Sequence, residues 1–310
     1  MPPDTPVPGT DIVVIINANA GGGHAEEIAR DITAQFLALG QHACVTLARD
    51  GKHMIATAEA AVRDGIAKVA VGGGDGSVNA VASVLAGTTT AFGVLPMGTL
   101  NHFAKDLQIP LALDQAIHTI ATGRALLVDT GEVNGVLFVN NSSLGLYPDI
   151  VHDREKQQNR LGRGKWLAFC WAALGALRRY PFLDVRLSIE DQEHRRRTPF
   201  VFIGNNEYLM EGFNIGTRTT LTCGKLSLYV CHRTGRLGLL RLAMHALFGR
   251  LHQASDFDML TATEISIETR HRSIRVATDG EVNLMRTPLH YRIRPASLSV
   301  LVPAVTAVAA

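Results

Sequence analysis

Apolar and polar positions along the first 123 residues follow two alternating patterns. Short, almost continuous apolar runs have the length and composition of buried parallel strands. Longer stretches with helical spacing of their apolar positions are predicted to be helices, each closed by a glycine or a turn. The predicted strands are 11–16, 42–47, 67–71 and 91–95, and the predicted helices are 24–39, 53–64 and 77–86. This alternation indicates right-handed crossovers and a parallel sheet.

Beyond Gly123 the pattern changes to short strand-like segments separated by turn residues. The predicted strands are 126–134, 135–141, 183–190, 198–204, 224–231, 264–268 and 273–277, with helices at 164–179 and 237–248. We therefore expect an all-β second domain, either a sandwich or an open barrel. The predicted organisation is a flexible leader at 1–10, an α/β domain at 11–123, a β domain at 124–303 and a tail at 304–310.

The composition excludes several classes of protein. The chain of 310 residues is 46% hydrophobic and 19% charged, with a net charge of +2. A disordered chain would be richer in charge, and the glycines lack the three-residue period of collagen. At this near-neutral charge we expect no nucleic-acid partner.

The chain also lacks the usual targeting and metal-binding patterns. Its longest apolar stretch, 166–177, is shorter than the roughly 20 residues of a membrane span. Residues 1–10 have no apolar core of a signal peptide. The four cysteines show no CxxC spacing, so we expect reduced core cysteines in a cytoplasmic protein.

Glycine-containing loops follow the first, third and fourth predicted strands, at 17–23, 72–76 and 96–99. The carboxyl ends of parallel strands meet at one sheet edge, where glycines let backbone N–H groups approach phosphate oxygens. Turn geometry explains a single such loop equally well, whereas three on one edge indicate a phosphate site. The loops match neither the P-loop nor the dinucleotide fingerprint, and no nucleophile elbow is present.

Asp75 is unusual in such a loop, because a carboxylate repels phosphates. A shared Mg²⁺, or acceptance of a proton during phosphoryl transfer, would explain it. The alternative is an Asx-turn that only shapes the loop. Ser77 at the predicted helix start and Asn79 in its first turn are further candidate ligand contacts.

Four motifs occur in order along the chain: GGDGSVN at 73–79, LPMGTLNHFA at 95–104, GKL at 224–226 and DGE at 279–281. A closing-strand pattern follows at 295–303. On these motifs the chain resembles the diacylglycerol kinase catalytic-domain family, in its bacterial lipid-kinase branch, which also includes sphingosine kinases. The first motif is shared with NAD kinases and phosphofructokinases, and the second is more specific. The resemblance covers about residues 11–303.

The resemblance implies a three-layer α/β nucleotide-binding domain, a C-terminal β-sandwich that takes the lipid substrate, and an active site in the cleft between them. It implies transfer of the γ-phosphoryl group of ATP, with Mg²⁺, to a lipid hydroxyl. Glu281 is the implied proton acceptor and Asp279 the second choice, with Asp75 as a further catalytic residue. The implied nucleotide contacts are Asn17, Ala18, Asn19, Ala20, Gly21, Thr46, Gly73, Gly74, Asp75, Gly76, Ser77, Asn79, Gly98, Thr99 and Asn101.

Asp279 and Glu281 can also be interpreted without the resemblance. At an extended strand end, residues two apart face the same side, so both carboxylates would project together. The alternative is a type I′ hairpin turn, because Asp-Gly between strands is a strong hairpin signal. The residues alone favour the turn, whereas the resemblance favours a catalytic role.

Three positions depart from the family's pattern. The first loop has Ala18 in place of proline, His102 replaces the Asp after Asn101, and Cys223 replaces the Asp before Gly224. Because of the last two, no metal ligand is assigned. Two alternatives to a lipid kinase stay open: a soluble kinase of the NAD-kinase type, and a catalytically weakened protein that only binds nucleotide or lipid.

One basic stretch of the sequence is a candidate membrane-contact region. Residues 151–197 carry eleven Lys/Arg and six Asp/Glu, and both tryptophans lie at 166–171. We expect peripheral contact through 160–180 with the inner face of the membrane, the alternatives being a helix packed on the β domain or contact with a partner helix. Arg195–Arg197 is predicted to be a solvated turn. The lipid itself and the oligomeric state are left open, and a sheet-edge oligomer is compatible with the sequence.

Overall fold

The computed structural model describes residues 9–18, 24–145, 183–189, 192–211, 214–218, 220–231 and 257–304. It divides into two compact units, one reaching from the N-terminal side to Thr130 and resuming at Pro295, the other comprising the described residues of Gly131–Arg294. The sequence placed the division at 123/124 and assigned 295–303 to the β domain. The predicted leader, the tail, and the helices at 164–179 and 237–248 lie largely or wholly outside the described residues.

The C-terminal segment belongs to the first unit because its polar groups are satisfied there. Ser297 accepts a backbone hydrogen bond from Gly87 and pairs through its hydroxyl with Thr130 at 2.8 Å. The N–H of Ala296 donates to the Asp129 carboxylate at 2.9 Å. These bonds join parts of the chain that are distant in sequence, which local sequence patterns do not report.

The first unit is built around a parallel sheet in the order β2-β1-β3-β4, with the C-terminal part of the last strand of the chain beside β4. Its helices pack as α1 with α5 and α2 with α3. Right-handed crossovers between these strands place α1 opposite α2 and α3 across the sheet. The elements are β1 (Ile12–Asn17), α1 (Ala25–Ala38), β2 (Ala43–Ala48), α2 (Gly51–Arg63), β3 (Lys68–Gly73), α3 (Asp75–Leu85), β4 (Ala91–Pro96), α4 (His102–Asp106) and α5 (Leu113–Thr122).

Local sequence explains where the first helices begin and end. Asp50 caps α2 through a hydrogen bond from the His53 N–H. Gly40, Gly65 and Gly87 follow α1, α2 and α3 with positive φ, the conformation that favours glycine at helix ends. The first four strands and three helices lie within two residues of their predicted bounds, whereas α4 and α5 were not predicted.

In the second unit, antiparallel strands form two sheets that enclose a common core, and two further strands, Tyr208–Glu211 and Asn214–Arg218, pair separately. One sheet has the order β14-β13-β10-β7-β16-β17, and the other the order β18-β15-β8-β9. The remaining strands of the chain, of which β5 and β18 are divided between the two units, are β5 (Arg124–Val133), β6 (Val136–Phe138), β7 (Asn141–Gly145), β8 (Leu183–Ile189), β9 (Gln192–Thr198), β10 (Phe200–Asn205), β11 (Tyr208–Glu211), β12 (Asn214–Arg218), β13 (Leu226–Cys231), β14 (Phe257–Ala262), β15 (Glu264–Thr269), β16 (Ser273–Thr278), β17 (Glu281–Arg286) and β18 (Leu289–Val302). This arrangement confirms the sandwich alternative.

Two predictions about this unit are wrong. Arg195–Arg197 lies in strand β9, paired residue by residue with β8, and not in a turn. The three side chains are exposed, so alternating apolar positions, the usual strand signal, are absent there. Cys223 is exposed and not in the core, and its thiol donates to Asn206 Oδ1.

Candidate active site

The turn from β3 into α3 forms the centre of the predicted phosphate site. Gly74 is the N-cap of α3 in an extended conformation, and no side chain caps this helix end. The first N–H groups of a helix have no partner within it, and the helix dipole adds partial positive charge there. This helix start therefore fits an anion, as in other phosphate-binding loops.

Buried polar atoms without partners occur in the first turn of α3 and on β2. In the part of the chain that the structure describes, Asp75 Oδ1, Asn79 Oδ1 and the hydroxyl of Thr46 are buried and have no hydrogen-bond partner. Leaving such groups unpaired costs free energy, so clusters of them mark places where a ligand can complete the bonding. The residues present thus fit a nucleotide with a bound cation, the group that the family resemblance implies.

The second glycine loop is packed directly against the first. The N–H of Gly98 donates to Asn101 Oδ1 at 3.0 Å, and Asn101 Nδ2 donates back to the Gly98 carbonyl at 2.8 Å. Asn101 has a φ of 51°, a left-handed conformation that asparagine tolerates. A Cβ atom added at Gly98 would lie 2.5 Å from Gly74 Cα. The glycine is therefore required for the close approach of the two loops.

We expect Gly98→Ala to weaken ATP binding at least about tenfold, because overpacking displaces one loop from the other. Isothermal titration calorimetry measures the effect. Gly51→Ala is the matched control, since a Cβ there meets nothing within 4 Å. Equal ATP affinity of Gly98→Ala and the wild type would show that the loop contact does not shape the nucleotide site.

The remaining predicted contacts in the first unit lie at varied positions. Asn17, at the end of β1, donates from Nδ2 to Ser77 Oγ at 3.3 Å, which joins the first strand end to α3. Thr99 is exposed in the loop after β4. The Ala18 N–H donates to the Ala48 carbonyl. Asn19, Ala20 and Gly21 lie outside the described residues.

Asp279 and Gly280 form a tight turn between β16 and β17 in the second unit. Their φ values are 47° and 86°, and Thr278 pairs with Glu281 across the turn, as in a type I′ hairpin. The hairpin turn that the residues alone favour is therefore confirmed over the extended alternative, because Asp279 has a left-handed backbone. Its carboxylate accepts backbone N–H bonds from Val139, Asn140 and Asn141 at 2.7, 2.9 and 3.0 Å.

Glu281 is exposed at the start of β17, in contrast to the inward-bonded carboxylate of Asp279. The residues that support this turn lie outside every sequence motif. Arg218 is buried and donates to the Val139 carbonyl and to Asn140 Oδ1. Nothing in the sequence separates this arginine from the many exposed ones.

Burial raises the pKa of Asp279 from 3.8 to about 6, while the three backbone N–H groups and the Arg218 guanidinium act to lower it. Although the residue keeps some exposed surface, its carboxylate points inward onto those donors. The pKa of Asp279 is higher in the folded protein than in the unfolded chain. The contribution of this carboxyl group to stability is therefore present below pH 4 and lost as the pH rises through 6. We expect the free energy of unfolding to fall by about 3 kcal/mol over this range from this group.

Urea unfolding between pH 4 and pH 7 measures that change, and carbon-13 NMR of the Asp279 carboxyl measures its pKa directly. Asp279→Asn is the control variant, because it cannot titrate and should lack this part of the pH dependence. A carboxyl pKa near 4 in the folded protein would contradict the assignment.

No cluster of three or more His, Cys, Asp or Glu side chains suited to a metal ion occurs in the described ranges. His102 is exposed at the first position of α4. A Mg²⁺ ion that shares its coordination with phosphate oxygens and water needs only one or two protein carboxylates, and Asp75 can supply one. None of the helices in the described ranges is long and apolar enough to cross a bilayer.

Comparison with known proteins identifies the family. Residues 11–133 match the diacylglycerol kinase catalytic domain, and residues 149–302 match the YegS C-terminal NAD kinase beta sandwich-like domain. The chain belongs to the diacylglycerol kinase catalytic-domain family. The family resemblance stated from the motifs is thus confirmed, as is the pairing of a parallel-sheet α/β domain with a β-sandwich.

Curated relatives match over parts of their length. A protein named "Probable lipid kinase YegS" from Escherichia fergusonii is 38% identical over 104 residues, 32% of this chain and 35% of that protein. One named "Probable lipid kinase YegS-like" from Yersinia pestis is 30% identical over 139 residues, 43% of this chain and 45% of that protein. An uncharacterized Synechocystis protein is 24% identical over 77% of this chain and 56% of its own length. The chain thus spans about a third to a half of these relatives.

Solved structures align over almost the whole chain. The crystal structure of a diacylglycerol kinase from Bacillus anthracis has a TM-score of 0.69 at 19% identity, covering 96% of this chain and 98% of that chain. A second structure from the same organism has a TM-score of 0.74 at 22% identity, covering 96% and 97%. At these identities the likeness shows the fold alone.

Proposed function

We propose that this protein is an ATP- and Mg²⁺-dependent lipid kinase that transfers the γ-phosphoryl group to a lipid hydroxyl, in a diacylglycerol-like or sphingoid-like acceptor. The observation that carries the proposal is the uncapped start of α3 with Asp75 beside it, inside a family of kinases. Phosphoryl transfer requires positioning and charge neutralisation of the phosphates, which a helix start and a cation provide.

The nucleotide phosphates would be held by the N–H groups at the start of α3 and by the loop around Gly98. Asp75, with its partnerless buried oxygen, would hold Mg²⁺, which supplies neutralisation of the phosphate charge when bound. Asn17 fixes Ser77 at this edge, and Thr46 and Asn79 offer buried polar atoms to the rest of the nucleotide. These roles agree with the contacts that the family resemblance implies.

Glu281 is the proposed acceptor of the hydroxyl proton. Asp279 is less suited, because its carboxylate already accepts three backbone hydrogen bonds. Glu281 lies two residues after Asp279, is exposed, and starts a strand whose position the Asp279 turn fixes. A general base must reach the proton that it removes, and the exposure of Glu281 on a fixed turn supports this role.

An acceptor panel tests the proposal. Purified protein is incubated with γ-labelled ATP, Mg²⁺, NAD, and vesicles that contain diacylglycerol, sphingosine or phosphatidylglycerol. We expect label in a chloroform-soluble product. Label in NADP would support a soluble kinase of the NAD-kinase type and contradict the proposal.

His102 and Cys223 depart from the family's pattern, and they motivate a second alternative, a protein that binds nucleotide without transferring phosphate. Cys223 donates from both its N–H, at 2.9 Å, and its thiol, at 2.8 Å, to Asn206 Oδ1, so this loop is held by direct hydrogen bonds. If ATP binds but no acceptor in the panel is labelled, the chain is a weakened binding protein and the proposed kinase activity is wrong.

A further inference from the structure

A buried polar cluster supports the turn that carries Asp279 and Glu281. We call it the Arg218 cluster, consisting of Arg218, Asn140 and Asn205 around the carbonyl of Val139. The exposed fractions of Arg218, Asn140 and Asn205 are 5%, 4% and 0%. Arg218 Nη1 donates to the Val139 carbonyl at 2.6 Å and to the Asn205 carbonyl at 3.2 Å, and Nη2 donates to Asn140 Oδ1 at 2.8 Å. Asn205 Nδ2 donates to the same Val139 carbonyl at 2.9 Å.

One peptide group connects this cluster to Asp279. The carbonyl of Val139 and the N–H of Asn140 belong to the same planar peptide. The carbonyl accepts from Arg218, and the N–H donates to the Asp279 carboxylate at 2.9 Å. A donor that polarises a carbonyl strengthens the bond made by the N–H of that peptide. The backbone N–H of Asp279 in turn donates to the Asn141 carbonyl at 2.9 Å, so the turn is clasped from both sides.

We propose that Arg218 is a positioning residue for phosphoryl transfer: it fixes the backbone at 139–141, which clasps Asp279 and so sets where Glu281 begins β17. This inference rests on the proposed function and adds a residue that none of the four sequence motifs contains. Arginine suits the position because its planar fork holds several acceptors in one fixed geometry, which lysine does not reproduce. Arg218 also lies over the Tyr208 ring, with its guanidinium carbon 5.3 Å from the ring centroid, which restricts it further.

The charged surroundings of Asp279 in the described part of the chain are simple. The positive group that acts on its carboxylate is Arg218, and its direct donors are backbone N–H groups. The neighbouring side chains of Asn140, Asn141 and Asn205 are neutral, and Glu281 is exposed to solvent. Removing the Arg218 charge therefore favours the protonated form of Asp279, and the ionised form would require a higher pH.

Two substitutions separate the charge of Arg218 from its geometry. Arg218→Lys keeps the charge and loses the fork, whereas Arg218→Met loses both. We expect kcat for lipid phosphorylation to fall about tenfold or more in each variant, with ATP affinity within about twofold of wild type. The pKa of the Asp279 carboxyl, measured by carbon-13 NMR, should rise by about half a unit or more in Arg218→Met and stay near its wild-type value in Arg218→Lys. Arg195→Lys and Arg195→Met are matched controls on an exposed strand and should leave both quantities unchanged.

Amide hydrogen exchange at 139–141 provides a readout that does not depend on activity. We expect faster exchange there in both Arg218 variants than in the wild type. If Arg218→Met does not fold, Asn140→Ala takes its place in the exchange and kcat measurements, because it removes the acceptor of Nη2. Wild-type kcat, an unchanged Asp279 pKa and unchanged exchange in the Arg218 variants would overturn the inference. A wild-type protein that phosphorylates no acceptor would instead refute the proposed function. The exchange data would still show whether Arg218 holds the backbone at 139–141.

Discussion

Replacement of Glu281 by glutamine is expected to lower the rate of lipid phosphorylation by about 10²- to 10⁴-fold, the range typical of a lost general base. Glutamine keeps the size of the side chain and its ability to form hydrogen bonds, but it does not accept the hydroxyl proton. ATP affinity should stay within about twofold, because the proposed phosphate contacts lie around α3 in the other unit. Steady-state kinetics with lipid vesicles and calorimetric titration with ATP measure the two quantities.

Glu264→Gln is the matched control for Glu281→Gln. Glu264 is also exposed at the first position of a strand in the second unit, and it lies outside every motif. We expect its variant to retain wild-type activity. Full activity of Glu281→Gln would remove the residue from the mechanism and return attention to the other carboxylates of the protein.

Replacement of Asp75 by asparagine is expected to reduce kcat by about 10²-fold or more. Its buried oxygen has no partner in the described structure, so the proposed bound cation is what would compensate its charge. The neutral amide binds Mg²⁺ more weakly, and neutralisation of the phosphates in the transition state is then less complete. Calorimetry with ATP in the presence and absence of Mg²⁺ separates this effect from general damage. We expect the variant to lose affinity mainly for the magnesium complex.

Asp114→Asn provides the comparison, since Asp114 is an exposed aspartate in the first turn of α5. This variant should bind and react as the wild type does. An Asp75→Asn protein that binds Mg·ATP with wild-type affinity and keeps its kcat would favour the alternative interpretation of Asp75, that it only shapes the loop.

The sequence predicted the first unit well because its signals are local. Buried parallel strands such as Ile12–Asn17 are continuous apolar runs, and glycines with positive φ, such as Gly40 and Gly65, end the helices between them. The glycine loop at Gly98 was predicted as a ligand contact. The reason that it must be glycine, a close approach to Gly74, became visible only when two strand ends far apart in sequence met at one edge.

The second unit was harder to predict because long-range contacts determine it. The Asp279 carboxylate accepts from a segment 138 to 140 residues earlier in the chain, and Arg218 reaches the same segment from 78 or 79 residues away. Strand β9 carries exposed arginines where alternating apolar positions would be expected. Its strand conformation is therefore visible only in its pairing with β8 and not in its sequence. The DGE motif is visible in the sequence, whereas the buried network that holds it is not.

The central claim is that the chain moves the γ-phosphoryl group of ATP onto a lipid hydroxyl. The most direct test follows ADP and lipid phosphomonoester together, by phosphorus-31 NMR and thin-layer chromatography, in vesicles that contain diacylglycerol or sphingosine. We predict equal molar formation of the two products by the wild type and, with Glu281→Gln, formation of both at a rate at least about 10²-fold lower. ADP formed without any lipid phosphomonoester, or lipid phosphorylation that is unaffected by Glu281→Gln, would contradict the account.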